Sequence, residues 1–269
     1  MLIPAIILGS LGIIFGAFLT YFSIKFKTEE NPLLNHLYEL MPNANCGACG
    51  LAGCSAFAEA LVEGKVEPAK CVMMSDENLQ MICSLLGIQP GERERYVARV
   101  FCFGGNNAKK RFDYKTIKTC NATNALFNTT LECNYGCIGM GDCVKVCPVN
   151  AISIDENNLP VIDAEKCIGC GKCVSECPEK IINLIPYDKT IYIACSSHDR
   201  GPAVIKICKT GCIGCGKCVR VCPQQAITLQ DNLAVIDYTK CDNCGRCVEE
   251  CPRKIIFDTS LKEKQGILA

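Results

Sequence analysis

Cysteine is the residue type through which this sequence can do chemistry. The 269 residues include 25 cysteines, most of them in runs of fixed spacing. Three runs read C-x2-C-x2-C-x3-C-P, in which three thiolates bind one iron-sulfur cluster and the fourth binds the neighbouring cluster. The spacing therefore predicts paired 4Fe-4S clusters, held by Cys167, Cys170, Cys173 and Cys177, by Cys212, Cys215, Cys218 and Cys222, and by Cys241, Cys244, Cys247 and Cys251.

A fourth run departs from this pattern at one position. Met140 stands where the corresponding run has Cys215, and a thioether is a poor substitute for thiolate at iron. We expect Cys133, four residues before Cys137, to supply the missing ligand. Crossed pairing then predicts four clusters, with the ligand sets Cys133, Cys137, Cys143 and Cys177; Cys147, Cys167, Cys170 and Cys173; Cys212, Cys215, Cys218 and Cys251; and Cys222, Cys241, Cys244 and Cys247.

A separate cysteine group lies nearer the N-terminus, in the string NCGACGLAGC, and is closed by Cys71. The interspersed glycines let the backbone wrap closely around a compact cofactor. A fifth 4Fe-4S cluster is predicted here, with a structural zinc ion as the alternative. Its ligands would be Cys46, Cys49, Cys54 and Cys71.

Five cysteines remain after these assignments. Cys83 shares a helical face with apolar residues, between a Ser75 cap and Gly87, and is predicted to be a buried core thiol. We hypothesise that the other four hold a sixth cluster. The alternative is that they bind no metal, because Cys208 aligns with Cys133 and could simply be its duplicate. The four residues are Cys102, Cys120, Cys195 and Cys208.

An internal duplication organises the elements that position these thiols. Residues 136–152 realign with 211–227, and residues 161–182 realign with 235–256. Between the cysteine runs, residues 151–154 with 161–162, and 226–229 with 234–236, alternate as short strands. Each module is therefore predicted to consist of two small βαβ halves packed over two clusters.

The first residues predict a membrane anchor. Residues 2–24 carry no charge and, as a helix, would rise roughly 35 Å, enough to cross a hydrocarbon core of about 30 Å. A cleavable signal peptide is the alternative, but such a peptide carries positive charge before its apolar run. Lys25 and Lys27 follow the run instead, which predicts a single-pass protein of the cell (inner) membrane with the rest of the chain in the cytoplasm.

Composition excludes several other classes of protein. The formal net charge is zero, and the chain has no Trp, two His and no Gly-rich phosphate loop, so neither nucleic acid nor nucleotide binding is expected. An odd number of cysteines argues against an all-disulfide scaffold. The predicted fold is α+β, divided into a transmembrane anchor (1–27), a small α-rich single-cluster domain (28–100), a linker segment (101–132), a first ferredoxin-like module (133–186), a connector (187–210) and a second ferredoxin-like module (211–269).

The order of these parts resembles the B subunit of the Rnf electron-transport complex. The resemblance covers nearly the whole chain and is most specific in the CGACGLAGC segment behind the anchor and in the string GCIGMGDCVKVCP. It implies an iron-sulfur subunit of a membrane translocase that passes electrons between reduced ferredoxin and NAD. The implied partners are soluble ferredoxin and the other subunits, which would hold the nicotinamide, flavin and ion sites.

A relay of this kind needs no general base or nucleophile, so no catalytic residue is predicted. Lys109, Lys110 and Arg111 form the densest basic run and could steer an acidic ferredoxin, with a solvated loop as the alternative. Two other functions stay open on the sequence alone. One is the iron-sulfur subunit of a different membrane oxidoreductase, and the other is a zinc-stabilised interaction protein.

Overall fold

The computed structural model describes residues 2–25, 31–91, 93–112 and 116–260. Its first element is α1 (Leu2–Lys25), a 24-residue helix. Among the described residues, no helix meets the length and apolarity that crossing a membrane requires. The membrane span predicted for residues 2–24 is therefore not confirmed, and Lys27 lies outside the described residues.

Three helices form the N-terminal domain. Ser75 caps the third of them, as predicted, and Asn31 caps the first, because each side chain accepts a backbone N–H of the first turn. The helices pack around Phe57 and Ile82, and Cys83 belongs to the same core with 2% of its surface exposed. This confirms the prediction of a buried core thiol. The helices are α2 (Pro32–Glu39), α3 (Cys54–Val62) and α4 (Asp76–Leu86).

The first ferredoxin-like module contains two antiparallel sheets of two strands each. The hairpin pairs β2 with β3 in the register Ile152 to Ile162, and the last strand, β4, pairs with β1. Short helices lie between the strands. In chain order the elements are β1 (Tyr96–Val100), α5 (Cys120–Phe127), α6 (Asp142–Lys145), β2 (Ile152–Ile154), β3 (Pro160–Ile162), α7 (Lys172–Glu176) and β4 (Ile182–Pro186).

The second module repeats this arrangement. Its hairpin pairs β6 with β7, and its last strand, β8, pairs antiparallel with β5. In chain order the elements are β5 (Ile191–Ile193), α8 (Gly201–Ile207), α9 (Lys217–Val221), β6 (Ile227–Gln230), β7 (Leu233–Ile236), α10 (Arg246–Glu250) and β8 (Ile256–Asp258).

The strand pairing corrects the predicted βαβ halves. Helices do separate the strands in each half, but every strand pair in the described ranges is antiparallel. The reason is that β1 and β5 supply the partners of β4 and β8. These two strands lie before residues 133 and 211, where the sequence suggested that the modules begin.

The two modules pack against each other through an interface that includes a buried arginine. Arg99 is 8% exposed, and its guanidinium lies 5.9 Å from the ring centre of Tyr192. It also donates a hydrogen bond of 3.3 Å to Thr259 Oγ1. Nearby, the Phe103 and Phe257 rings meet edge to face with centres 4.6 Å apart. The interface therefore combines aromatic packing with one buried charge.

Candidate metal centres

The N-terminal domain gathers four cysteines around a cavity that we call site A. Cys54 begins α3, and its backbone N–H donates to Oδ1 of Asn45 at 2.9 Å. Gly53 has φ of 128°, a conformation that residues with side chains rarely adopt. The cavity measures about 330 Å³ including space open to solvent, and all four predicted residues line it: Cys46, Cys49, Cys54 and Cys71.

Site B lies in the first module and also has its predicted members. The backbone N–H of Ala151 donates to Cys147 Sγ at 3.2 Å, and the N–H of Ala98 in β1 donates to Cys167 Sγ at 3.5 Å. Such bonds favour the negatively charged form of a sulfur. The cavity of about 320 Å³ is lined by Cys147, Cys167, Cys170 and Cys173.

Site C, the second cavity of the first module, differs from the prediction by one residue. Its cysteines are Cys120, Cys137, Cys143 and Cys177, around about 390 Å³. Cys133, which was expected here, does not line it. The physical reason is that α5 is fastened over α6, because the N–H of Asn121 donates to the Asp142 carboxylate at 3.1 Å. This contact places Cys120, the first residue of α5, beside the cavity.

Electrostatics agree with the membership of site C. Burial, together with the nearby thiols of Cys120 and Cys177, raises the pKa of Cys143 to about 11. Cys137 shows the same pattern, since burial raises its pKa and Cys102, Cys120 and Cys143 add to the rise.

Site D, in the second module, contains its predicted residues. Burial raises the pKa of Cys218 to about 11, and Cys212, Cys215 and Cys251 contribute to the rise. The cavity measures about 370 Å³ and is lined by Cys212, Cys215, Cys218 and Cys251.

Site E is defined by proximity rather than by a described cavity. Burial raises the pKa of Cys247 to about 12, with further contributions from Cys241 and Cys244. The pKa of Cys241 is raised by burial and by Cys222, and Cys222 Sγ accepts the N–H of Ala226 at 3.3 Å. The predicted set Cys222, Cys241, Cys244 and Cys247 therefore lies together.

The remaining four cysteines line a cavity between the modules, which we call the junction site. It measures about 390 Å³ and contains Cys102, Cys133, Cys195 and Cys208. Compared with the hypothesised sixth set, Cys133 replaces Cys120. The structure therefore exchanges these two residues between the junction site and site C, while all other predicted groupings lie together.

The sequence contained a signal for this exchange. Cys133 and Cys208 occupy equivalent positions of the duplication, each four residues before the first cysteine of a run. Equivalent residues are expected to have equivalent roles, so Cys133 belongs with Cys208. The position of α5, which brings Cys120 to site C, depends on tertiary contacts and has no comparable signal in the sequence.

The chemistry of these groups fits iron-sulfur clusters. Buried thiols resist ionisation, as the raised pKa values show, whereas a coordinating metal deprotonates a thiol outright. Four thiolates are the usual ligand set of a 4Fe-4S cluster. In the part of the chain that the structure describes, no three His, Cys, Asp or Glu side chains lie close enough together to hold a single metal ion.

The sites follow one another in space. Electrostatic effects on pKa connect Cys170 of site B with Cys46 of site A, and Cys173 of site B with Cys143 of site C. The junction site adjoins site C through Cys102 and Cys137, and site D through Cys195 and Cys212. Cys247 of site E lies near Cys218 of site D. These neighbours connect the six groups in the order A, B, C, junction, D, E.

The predicted basic run lies on the surface beside the junction site. Lys109, Lys110 and Arg111 are exposed. The N–H of Lys109 donates to the carbonyl of Ile207 at 2.8 Å, which brings the run close to the exposed side chain of Lys209. The two histidines, His36 and His198, line none of the cavities described above.

Comparison with family models gives two matches. Residues 41–73 match a family described as an Fe-S cluster domain, which includes the cysteines of site A. Residues 136–181 and 211–255 each match the 4Fe-4S dicluster domain. Cys102, Cys120, Cys133, Cys195 and Cys208 lie outside these matches.

Similar proteins share most of the chain. The B subunit of the proton-translocating ferredoxin:NAD(+) oxidoreductase complex of Clostridium ljungdahlii is 43% identical over 86% of this chain and 82% of its own length. The B subunit of the ion-translocating oxidoreductase complex of Methanosarcina acetivorans is 39% identical over 87% of this chain and 89% of its own. The Na(+)-translocating counterpart from Acetobacterium woodii is 38% identical over 89% of this chain and 72% of its own.

Proposed function

This chain belongs to the family of B subunits of Rnf-type ion-translocating ferredoxin:NAD oxidoreductases, in which it is an iron-sulfur electron-transfer subunit, and we propose that it relays electrons between soluble ferredoxin and the other subunits. Sites A to E each hold one 4Fe-4S cluster in this proposal. The observation that carries it is the convergence of twenty cysteines into five groups of four.

The clusters supply one-electron redox chemistry when bound, and the protein sets their spacing, burial and hydrogen bonding. The thiolates hold the iron, and backbone N–H groups such as those of Ala151 and Ala226 donate to the ligating sulfurs. These two residues occupy equivalent positions in the two modules. Because an N–H dipole stabilises negative charge on sulfur, each bond favours the reduced state of its site.

The ligand set of site C includes Cys120 in this proposal, in place of Cys133. Support comes from the contact between Asn121 and Asp142 and from a second bond in which the Asn121 side chain donates to Glu176 at 2.6 Å. These bonds fasten α5 to both helices that frame the site. Cys120 thus completes the four cysteines of site C, as Cys215 does those of site D.

Metal and sulfide analysis of the anaerobically purified chain tests this function. We expect about four iron and four sulfide per site, hence at least about 20 of each, because each 4Fe-4S cluster has four thiolate ligands. Zinc in place of iron would instead support the alternative of a zinc-stabilised interaction protein.

We further propose that α1 attaches the chain to the cell (inner) membrane as a single-pass anchor, with the cluster domains on the cytoplasmic side. Support comes from the uncharged sequence of residues 2–24 and from apolar side chains that are more than half exposed, including Ile7, Ile13 and Phe15. Replacing Leu11 and Ile14 by arginine in the full chain should release it into the soluble fraction. Retention of this variant in membranes by itself would contradict the anchor.

Soluble ferredoxin is the proposed electron partner, and the exposed basic run beside the junction site supports an encounter there. An acidic partner would be attracted to Lys109, Lys110, Arg111 and the adjacent Lys209, and salt would screen that attraction. Replacing Lys109, Lys110 and Arg111 by glutamine should flatten the salt dependence of electron uptake. A matched triple change at the exposed Lys166, Lys180 and Lys217, elsewhere on the modules, should alter it less.

A further inference from the structure

We propose that side chains of opposite charge give sites C and D different reduction potentials, with that of site C the lower, so that an electron shared between the two modules rests preferentially on site D. The side chains are those of Asp142 and Glu179 at site C and of Arg253 at site D. This inference rests on the proposed function, because it takes both sites to hold 4Fe-4S clusters that relay electrons.

Carboxylates line the cavity of site C. Asp142, Glu176 and Glu179 share this cavity with the four cysteines. In the part of the chain that the structure describes, no acidic residue lines the cavities of site A, site B, site D or the junction site. Negative charge therefore distinguishes site C from the other cavities that gather cysteines.

Two of these carboxylates are fixed by α5 and partly withdrawn from water. Asp142 is 6% exposed and accepts the backbone N–H of Asn121 at 3.1 Å. Glu179 is half-buried and accepts a hydrogen bond of 2.9 Å from the side-chain amide of Asn124. Because solvent screens such charges less than exposed ones, they act more strongly on a neighbouring charge.

One cation offsets part of this charge, but an equivalent cation is present in both modules. Lys145 Nζ lies 3.3 Å from Oδ1 of Asp142, and its side chain is 60% exposed, so solvent weakens the pair. The equivalent residue of the second module is Arg220, which is also exposed and donates to the carbonyl of Cys215 at 3.4 Å. A basic residue at this position therefore does not account for a difference between sites C and D.

Site D is lined by charge of the opposite sign. Among the described residues of its cavity, Arg253 is the one with a charged side chain. It donates through Nη2 to the carbonyl of Cys208 at 2.8 Å and through Nε to that of Gly211 at 3.3 Å. Since a guanidinium is not deprotonated in proteins, its positive charge is permanent and held beside the site.

The sequence repeat turns this contrast into a reversal of sign. Glu179 and Arg253 are equivalent residues of the realigned segments, and so are Asp142 and Lys217. Asp142 begins α6, as Lys217 begins α9. No other pair of equivalent residues in these segments exchanges an acidic for a basic side chain. Lys217 is exposed, so Arg253 has the stronger effect on site D.

The effect on the clusters follows from their charge. Four thiolates around an oxidised core of about +2 give a net charge of about −2, which reduction makes about −3. Nearby negative charge disfavours the added electron and nearby positive charge favours it. One electron therefore passes downhill from reduced site C to oxidised site D. Site C is oxidised as site D is reduced, no bond is made or broken, and no proton is required.

Redox titration of the full chain, purified anaerobically and followed by low-temperature EPR, measures the two potentials. The titration is done at about pH 8, where carboxylates are ionised. The signal that is lost in Cys120→Ala identifies site C, and the signal that is lost in Cys215→Ala identifies site D. In the wild-type chain we expect site C to have the lower potential.

A change of charge at site C should move its potential. In Glu179→Gln we expect the equilibrium constant for reduction of site C to rise about tenfold, which is about 59 mV for a one-electron couple. Adding Asp142→Asn should raise it further, and Glu179→Asp, which keeps the charge, should stay near the wild-type value. The matched control is Glu156→Gln, an exposed carboxylate that lines none of the cavities, and it should leave site C unchanged.

The opposite change at site D should have the opposite sign. In Arg253→Gln we expect the equilibrium constant for reduction of site D to fall about tenfold. Arg253→Lys keeps the positive charge but not the two-armed contact with the carbonyls of Cys208 and Gly211. Because charge is the cause in this account, Arg253→Lys should retain most of the wild-type potential. Iron and sulfide analysis of every charge variant should give the wild-type count.

Several results would overturn the inference while leaving the proposed function intact. These are a higher potential at site C than at site D in the wild-type chain, equal shifts in Glu179→Gln and Glu156→Gln, or an unchanged site D in Arg253→Gln. Should Glu179→Gln lose iron, the order of the wild-type potentials and the Arg253 variants decide the matter. Zinc in place of iron, or clusters that reduced ferredoxin does not reduce, would instead refute the proposed function.

Discussion

The two dicluster modules differ most where one has Met140 and the other has Cys215. In the second module the sequence run itself supplies three cysteines of site D, whereas in the first module α5 brings Cys120 to site C from outside the run. The same four-thiol arrangement is therefore reached by two chain paths. The difference teaches that membership of a site follows from which thiols converge in space, and not from spacing along the chain alone.

The largest expected effect is a loss of iron, and it distinguishes Cys120 and Cys215 from Met140. Cys120→Ala and Cys215→Ala should each lose one cluster, about four iron per chain, because each removes a ligand. Met140→Ala should lose none, since Met140 does not line site C. Iron and sulfide analysis measures the effect, and a loss of iron in Met140→Ala with retention in Cys120→Ala would contradict the comparison.

A rescue experiment sharpens the same comparison. Adding Met140→Cys to the Cys120→Ala variant gives the first module the cysteine run of the second. We expect the four lost iron atoms to return, because the thiolate now comes from the position equivalent to Cys215. Low-temperature EPR of the reduced protein would follow the restored cluster. Iron that stays at the level of Cys120→Ala would show that the two modules differ in backbone shape around this position.

The module interface gives a third, smaller effect. Arg99→Ala removes a buried guanidinium that donates to Thr259 and faces Tyr192, and should lower the free energy of unfolding by about 2 kcal/mol. Arg95→Ala is the matched control. Arg95 immediately precedes β1, the strand that carries Arg99, but it is exposed, with its guanidinium 3.8 Å from the ring centre of Tyr187. Anaerobic thermal unfolding measures both, and an equal loss in the two variants would contradict a special role of the buried arginine.

The smallest effect concerns two equivalent aspartates. The pKa of Asp163 is lowered by hydrogen bonds from Lys166, and that of Asp237 by hydrogen bonds from Thr239. A lowered pKa stabilises the fold fully above the ordinary Asp pKa of about 3.9, and this contribution is lost as the pH falls toward the lowered value. At neutral pH, Asp163→Asn and Asp237→Asn should each lower the melting temperature slightly and by similar amounts, unlike Glu156→Gln. Strongly unequal shifts in melting temperature would show that the segments around Asp163 and Asp237 are not equivalent.

The grouping of most cysteines into sites could be predicted from the sequence, because the ligands of iron-sulfur clusters follow characteristic local spacings. Sites A, B, D and E gather the predicted residues for this reason, and the helix caps at Asn31 and Ser75 follow from equally local rules. The strands of the hairpins were also found near their predicted positions, since alternation and turn residues mark them.

What escaped prediction depends on contacts between distant parts of the chain. The pairing of β1 with β4 joins Tyr96 to Pro186, and no local pattern in the strand indicates so remote a partner. The place of Cys120 depends on the contact of α5 with Asp142 in the same way. The exchange of Cys120 and Cys133 between site C and the junction site could have been inferred from the repeat, because Cys133 and Cys208 are equivalent positions. That inference would have required giving the duplication more weight than the missing cysteine at Met140.

The electron relay itself is tested most directly by mixing the anaerobically purified full chain with reduced ferredoxin, freezing the mixture and recording low-temperature EPR. The account predicts that ferredoxin is reoxidised and that signals of reduced clusters appear in the chain, broadened by coupling between neighbouring sites. Ferredoxin that remains reduced beside a chain with its full complement of iron would contradict the account.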